Sequence, residues 1–174
     1  MELRFVQPDL RRLDLLVSEV IAAPVALGQR PPRSTAGLLD YRLAGKASEI
    51  IRAGALTGQL GEKVFLDGRP RLPFDKVLLY GSGDPATFNP QIYGGLVDLL
   101  LETLSQMGVR RAVVELPGRA TDLISPELAA EILLERAGNN PLFDTWTLVD
   151  TPKAQRTVAS RLRSDRRSQW RISS

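Results

Sequence analysis

Lys76-Val-Leu-Leu-Tyr80 runs directly into Gly81-Ser-Gly-Asp-Pro85, Asn89-Pro90 follows, and Gly108-Val-Arg-Arg-Ala-Val-Val-Glu-Leu116 comes about one helix length later. The apolar run Val77–Tyr80 does not alternate with polar residues, as expected of a strand covered on both faces of a parallel sheet. Asn89 and Pro90 are an N-cap and a first helical residue, and Gly108 stands where a helix stops. Between them Ile92, Leu96, Leu99, Leu100, Leu104 and Met107 recur on one helical face. A strand over 76–80, a helix over 90–107 and a strand over 111–116 make one βαβ unit, with its two strands parallel.

The flanking sequence extends this pattern. Upstream, Leu39, Leu43, Ala47 and Ile50 predict a helix over about 37–53, capped by Ser34 or Thr35 and stopped at Gly54. Lys63-Val-Phe-Leu66 reads as a strand turning at Asp67-Gly68. Downstream, Ser125-Pro126 opens a helix with Leu128, Ile132 and Leu133 inward and Glu127, Glu131 and Glu135 outward, and Thr145–Val149 is the last strand of the body. Near the N-terminus, Leu3–Val6 and Leu15–Val20 read as two short strands joined by a turn. This hairpin is expected to supply the non-parallel part of a mixed, mainly parallel sheet in a three-layer α/β/α fold.

The chain has 174 residues, 43% of them apolar and 25% charged, the balance of one globular domain. It contains no His and no Cys. That excludes a Ser-His-Asp triad, a thiolate nucleophile, a disulfide and a Cys/His zinc site. Charge is unevenly distributed. Residues 152–174 carry seven bases against Asp165, whereas residues 1–151 carry sixteen bases and nineteen acids. The sequence therefore divides into a mildly acidic body, 1–151, and a basic C-terminal helix or tail, 152–174, whose apolar positions include Ala154, Val158 and Leu162. Nothing at the N-terminus reads as a signal peptide and no stretch is long enough to span a bilayer, so a cytoplasmic protein without membrane contact is expected.

Two loops follow the strands of the βαβ unit. If those strands are neighbours, Gly81, Ser82, Gly83 and Asp84 share a rim with Gly118 and Arg119, where backbone amides, Ser82 and Arg119 could hold an anion. The expected reading is that small residues simply end a strand tightly before Asn89 caps the helix. The loop lacks the third glycine of a dinucleotide fingerprint, and no phosphate-binding loop of the Walker type is present. Glu127, Glu131 and Glu135 read as a solvated helix face. Glu115 reads as a partner for Arg110 or Arg111. In the tail, Lys153, Arg156, Arg161, Arg163, Arg166 and Arg167, with Trp170 as a stacking ring, have the composition of a nucleic-acid contact; the expected reading is a solvated helix docked through Val158 and Leu162.

Thr35-Ala-Gly-Leu-Leu-Asp40, Gly58-Gln-Leu-Gly-Glu62 and the strand ending Gly81-Ser-Gly83 before a long helix together resemble the N-terminal domain of the leucine aminopeptidase (cytosol aminopeptidase) family. Ser82 stands where that family has Leu between the glycines. The resemblance covers roughly residues 1–150 and implies a three-layer fold similar to macro domains. It carries over no catalytic residue, because the family's two-metal site and its Asn-Thr-Asp-Ala-Glu-Gly-Arg-Leu signature belong to a C-terminal domain with no counterpart here. The expected function is a stand-alone, non-catalytic assembly or regulatory module acting through a protein partner or self-association. Alternatives are a nucleic-acid or nucleotide (ADP-ribose-like) binder and a peptidase-like enzyme with an unrecognised site. None of these readings calls for a cofactor or a metal.

Overall fold

The computed structural model describes residues 1–138, 140–164 and 171–172. Its elements are, in order, β1 (Glu2–Val6), α1 (Leu10–Leu13), β2 (Ser18–Ala26), α2 (Ser34–Arg42), α3 (Lys46–Arg52), β3 (Lys63–Asp67), β4 (Phe74–Gly83), α4 (Pro90–Gln106), β5 (Arg111–Val114), α5 (Pro126–Ala137), β6 (Thr145–Val149), α6 (Pro152–Ser164) and β7 (Arg171–Ile172). The sheet order is β3-β4-β2-β5-β6-β1-β7. All pairings are parallel except β3 with β4. Helices α1–α3 cover one face around Leu13, Leu39, Ile51, Phe74 and Val77. Helices α4–α6 cover the other around Tyr80, Leu100, Leu133, Trp146 and Val158. This is the three-layer α/β/α sandwich, with a mixed, mainly parallel sheet.

The long helix forms as its sequence dictates. The Asn89 side chain accepts the Ile92 amide, Pro90 sits in the first turn, and Gly108 follows with φ +69. Ser125 likewise caps α5 through the Leu128 amide.

Several expectations are corrected. The N-terminal strands do not form a hairpin: β1 pairs with β6 and β7 at one side of the sheet, while β2 lies in the middle between β4 and β5. The segment between them is α1, capped by Asp9, and Leu15 and Val17 are 82% and 76% exposed rather than in a strand. Among the described residues the antiparallel strand is instead β3. Because β2 separates β4 from β5, the two strands of the βαβ unit are parallel without being neighbours. The helix expected over 37–53 is two helices. Ala44 and Gly45 adopt positive φ, and the Asp40 carboxylate turns back to accept both the Ser48 amide and the Ser48 hydroxyl, which starts α3 afresh. In α5 the buried positions are Ala129, Ala130, Leu133, Leu134 and Ala137, so the inward stripe is rotated and Leu128 is 37% exposed.

Pro24 explains why a proline is tolerated in the central strand. β5 pairs with β2 only through Ala22, whose carbonyl accepts the Glu115 amide. Pro24, two residues on, turns its nitrogen to the same side, where β5 has already ended. β2 therefore runs past its neighbour and leaves an opening beyond the end of β5.

Candidate functional site

All five longer parallel strands point their C-terminal ends at one rim, where loops following β2, β4 and β5 enclose a cleft of about 520 Å³. Pro24 lies in its wall, Phe88 and Leu123 contribute apolar side chains, and Arg30 and Arg33 stand on the loop from β2 to α2. Both arginines are exposed, and among the described residues neither guanidinium has an ion pair or hydrogen bond. A second cleft of about 550 Å³ lies beside it, among the ends of β1, β5 and β6 and the start of α6. Ser34, Glu115 and Ala120 belong to both walls.

Glu115 is the hinge of this arrangement. Its side chain is buried, and its Oε2 accepts the Ser34 hydroxyl at 2.7 Å and the Thr35 amide at 3.0 Å. The start of α2 is thus held by a carboxylate from another strand, and not by Ser34 or Thr35 as its own cap; Arg33 occupies the N-cap position without a side-chain bond. Burial raises the Glu115 pKa above the ordinary glutamate value, with the hydrogen bonds from Thr35 and Ser34 pulling the other way. The expected pairing of Glu115 with Arg110 or Arg111 does not occur. Those residues lie at the opposite end of the strand, where Arg110 binds Asp144 at 2.9 Å and Arg111 faces Glu19.

The Gly-Ser-Gly segment is the end of β4 rather than a loop after it. The Gly81 amide donates to the Glu62 carbonyl and the Gly83 amide to the Gly58 carbonyl. The Glu62 carboxylate in turn accepts the Thr57 and Gly58 amides at 2.8 Å each. A Cβ on Gly81 would sit 1.8 Å from the Gln59 carbonyl oxygen, so the glycine is required by this close backbone approach. Gly81 lies beneath the Gly58–Glu62 stretch; Ser82, Gly83 and Gly118 line the first cleft, and Asp84 is N-cap to a short 3₁₀ turn over Pro85–Thr87. Arg119 is buried and lines the second cleft, where it forms a two-pronged pair with Asp150 at 2.8 and 3.2 Å and also donates to the Ile124 carbonyl.

Lys153, Arg156 and Arg163 are exposed on α6, while Arg161 pairs with Glu131 at 2.6 Å. Glu131 of the acidic stripe thus faces the basic helix. Ala154 and Val158 are buried and Leu162 is partly so, which packs α6 against α5 and β1. Arg166, Arg167 and Trp170 lie outside the described residues. Among those residues no group of three or more His, Cys, Asp or Glu side chains is placed to hold a metal, and no helix is long and apolar enough to cross a membrane.

The sequence reading missed Arg30, Arg33, Phe88 and Leu123 as site residues. The available signal was Arg30-Pro-Pro-Arg33, two cations flanking a rigid turn between a strand and a helix.

The three-layer sandwich, with its cleft at the carboxyl ends of the parallel strands, is similar in fold to solved macrodomains. An Oceanobacillus iheyensis macrodomain superposes with a TM-score of 0.69 at 13% identity, covering 93% of this chain and 91% of that one. A Trypanosoma brucei macrodomain in complex with ADP-ribose gives 0.68 at 16%, covering 90% and 67%. Tomato leucine aminopeptidase gives 0.62 at 14%, covering 91% of this chain and 35% of that one. Residues 25–137 match the model of the cytosol aminopeptidase family, N-terminal domain, and the chain belongs to that family. A probable cytosol aminopeptidase of Halorhodospira halophila is 31% identical over 146 residues. That match takes in 80% of this chain and 29% of the relative, so the chain spans under a third of the length of such enzymes.

Proposed function

We propose that this chain is a non-catalytic, regulatory member of the family that captures a small anionic ligand of the nucleotide class in the first cleft. The carrying observation is the pair of unpartnered guanidiniums, Arg30 and Arg33, lining the same cleft as the apolar side chains Phe88 and Leu123. Arginine forks suit phosphate oxygens, and an aromatic and aliphatic wall suits a base or sugar face. Glu115 already accepts the Thr35 amide at the start of α2, so a phosphate would be held by the arginine side chains rather than by that helix terminus. The likeness to a macrodomain in complex with ADP-ribose supports the choice of ligand class. The non-catalytic part of the reading rests on the sequence, which has neither imidazole nor thiol to serve as base or nucleophile. The relatives' description as cytosol aminopeptidases supports a cytoplasmic setting.

Calorimetric titration with ADP-ribose, ADP and ribose 5-phosphate tests this. The two nucleotides should bind, ribose 5-phosphate should bind more weakly, and Arg30→Ala or Arg33→Ala should weaken binding by roughly tenfold or more, the worth of one charge-assisted hydrogen bond. Absence of binding at millimolar nucleotide, or affinity indifferent to both arginines, overturns the proposal.

A further inference from the structure

β3 ends the sheet with nothing paired to its outer side among the described residues. The direction of its backbone groups is fixed by the ladder with β4. The Gly81 amide donates to the Glu62 carbonyl and the Gly68 amide to the Asp75 carbonyl, so Glu62 and Gly68 make hydrogen-bonded pairs. In an antiparallel ladder such pairs alternate with non-bonded ones. Val64 and Leu66 therefore also face β4, and the N–H and C=O groups of Lys63, Phe65 and Asp67 face away from the sheet. A strand of this kind is a template for another strand.

The side chains of the same three residues share the face covered by α4, because Lys63 Nζ donates to Thr103 Oγ1 on that helix and alternate residues point alike. Phe65 is 43% exposed, an aromatic ring left open in the middle of the edge. Lys63 and Asp67 stand two residues to either side of it with opposite charge.

From this pattern we propose that β3 is a self-association surface, on which a second copy of this chain adds antiparallel about a twofold axis through Phe65. The edge is self-complementary in that register. Phe65 meets the Phe65 of the second copy as a hydrogen-bonded pair, and Lys63 of each copy meets Asp67 of the other. Each such pair exchanges two backbone hydrogen bonds, and the two rings cover one another on the α4 face. Asp67 already pairs with Lys76 of its own chain, so in the dimer each Asp67 sits between two ammonium groups. A slip of one residue would instead put the rings on opposite faces. The two sheets join into one continuous sheet, and the clefts, which lie at the carboxyl ends of the parallel strands, stay open. The contact is short, at the small end of protein interfaces, so the dimer should be reversible in the micromolar to millimolar range.

Sedimentation equilibrium of the full chain over that range should show a species of twice the 19.1 kDa chain mass growing with concentration. The backbone amides of Lys63, Phe65 and Asp67 should exchange more slowly at high concentration, while those of Val64 and Leu66 stay unchanged. Phe65→Pro removes an outward amide that the intrachain ladder does not use and should abolish the dimer. Asp67→Lys places like charges opposite each other twice and should weaken association by roughly tenfold or more, without depending on tolerance of proline. The exchanged pair, Lys63→Asp with Asp67→Lys, should restore it. A monomer at every concentration, a dimer indifferent to Asp67→Lys, or an exchanged pair that fails to recover association overturns the proposal.

Discussion

Glu115 and Thr35 are eighty residues apart in the chain and meet at 3.0 Å, carboxylate oxygen to backbone amide. This bond seals the amino end of α2 with a carboxyl oxygen supplied from the end of β5, at the point where the two clefts adjoin. An internal carboxylate thus already fills the place at which a helix terminus would hold a phosphate. Removing it by Glu115→Ala strips the acceptor from the buried Thr35 amide and the Ser34 hydroxyl. Thermal unfolding should show a loss of about 1–3 kcal/mol, several degrees of melting temperature for a chain of this size.

The pH dependence of that site has a definite sign. Burial raises the folded-state pKa of Glu115 above its unfolded value. Such a group adds stability that is fully present below the unfolded pKa and is lost as pH rises through the folded pKa. The melting temperature of the wild-type chain should therefore rise relative to that of Glu115→Gln as pH falls from neutrality towards the ordinary glutamate range. A difference that moves the other way would show that the ionised form is the favoured one in the fold.

Gly81→Ala tests the close approach of β4 to the Gly58–Glu62 stretch. The added methyl would lie 1.8 Å from the Gln59 carbonyl oxygen, a backbone atom with no rotamer to relieve the clash. A loss of about 1–3 kcal/mol or more is expected from chemical denaturation. Gly95→Ala in α4, where no atom lies within 4 Å of the new methyl, should instead be neutral or mildly stabilising.

These sites show what the sequence discloses and what it hides. The α4 cap, the continuous strand at Val77–Tyr80 and the stops at Gly54 and Gly108 are local signals, carried by neighbouring residues, and they could be read directly. The place of β2 could not. Its run through Pro24 resembles a broken strand until the early end of β5 is known, and the α1 segment has the polarity of a hairpin turn. The role of Glu115 is hidden for the same reason. Its true partners, Ser34 and Thr35, belong to a distant helix, while the arginines nearer in sequence lie at the other end of the strand. The glycines of the rim were legible as glycines, but their purpose is a backbone approach that only the tertiary structure reveals.

The basic helix gives a prediction that separates packing from charge. Deleting residues 152–174 removes the buried Val158 and Ala154, and burial of a valine side chain is worth roughly 1.5–3 kcal/mol, so the melting temperature should fall by several degrees. Arg156→Gln with Arg163→Gln should leave it unchanged, because both side chains are exposed. If the helix also binds nucleic acid, those two changes should weaken its affinity for duplex DNA and reduce the salt dependence by about 0.9 in log–log slope for each phosphate no longer neutralised.

The most direct test of the ligand-capturing role is a titration of the isotope-labelled chain with ADP-ribose, following backbone amide resonances. The cleft account predicts saturable shifts at Arg30, Arg33, Ser82, Gly83 and Gly118, with Lys153 and Arg163 on α6 unmoved. Shifts confined to α6, or none at millimolar ligand, would contradict it.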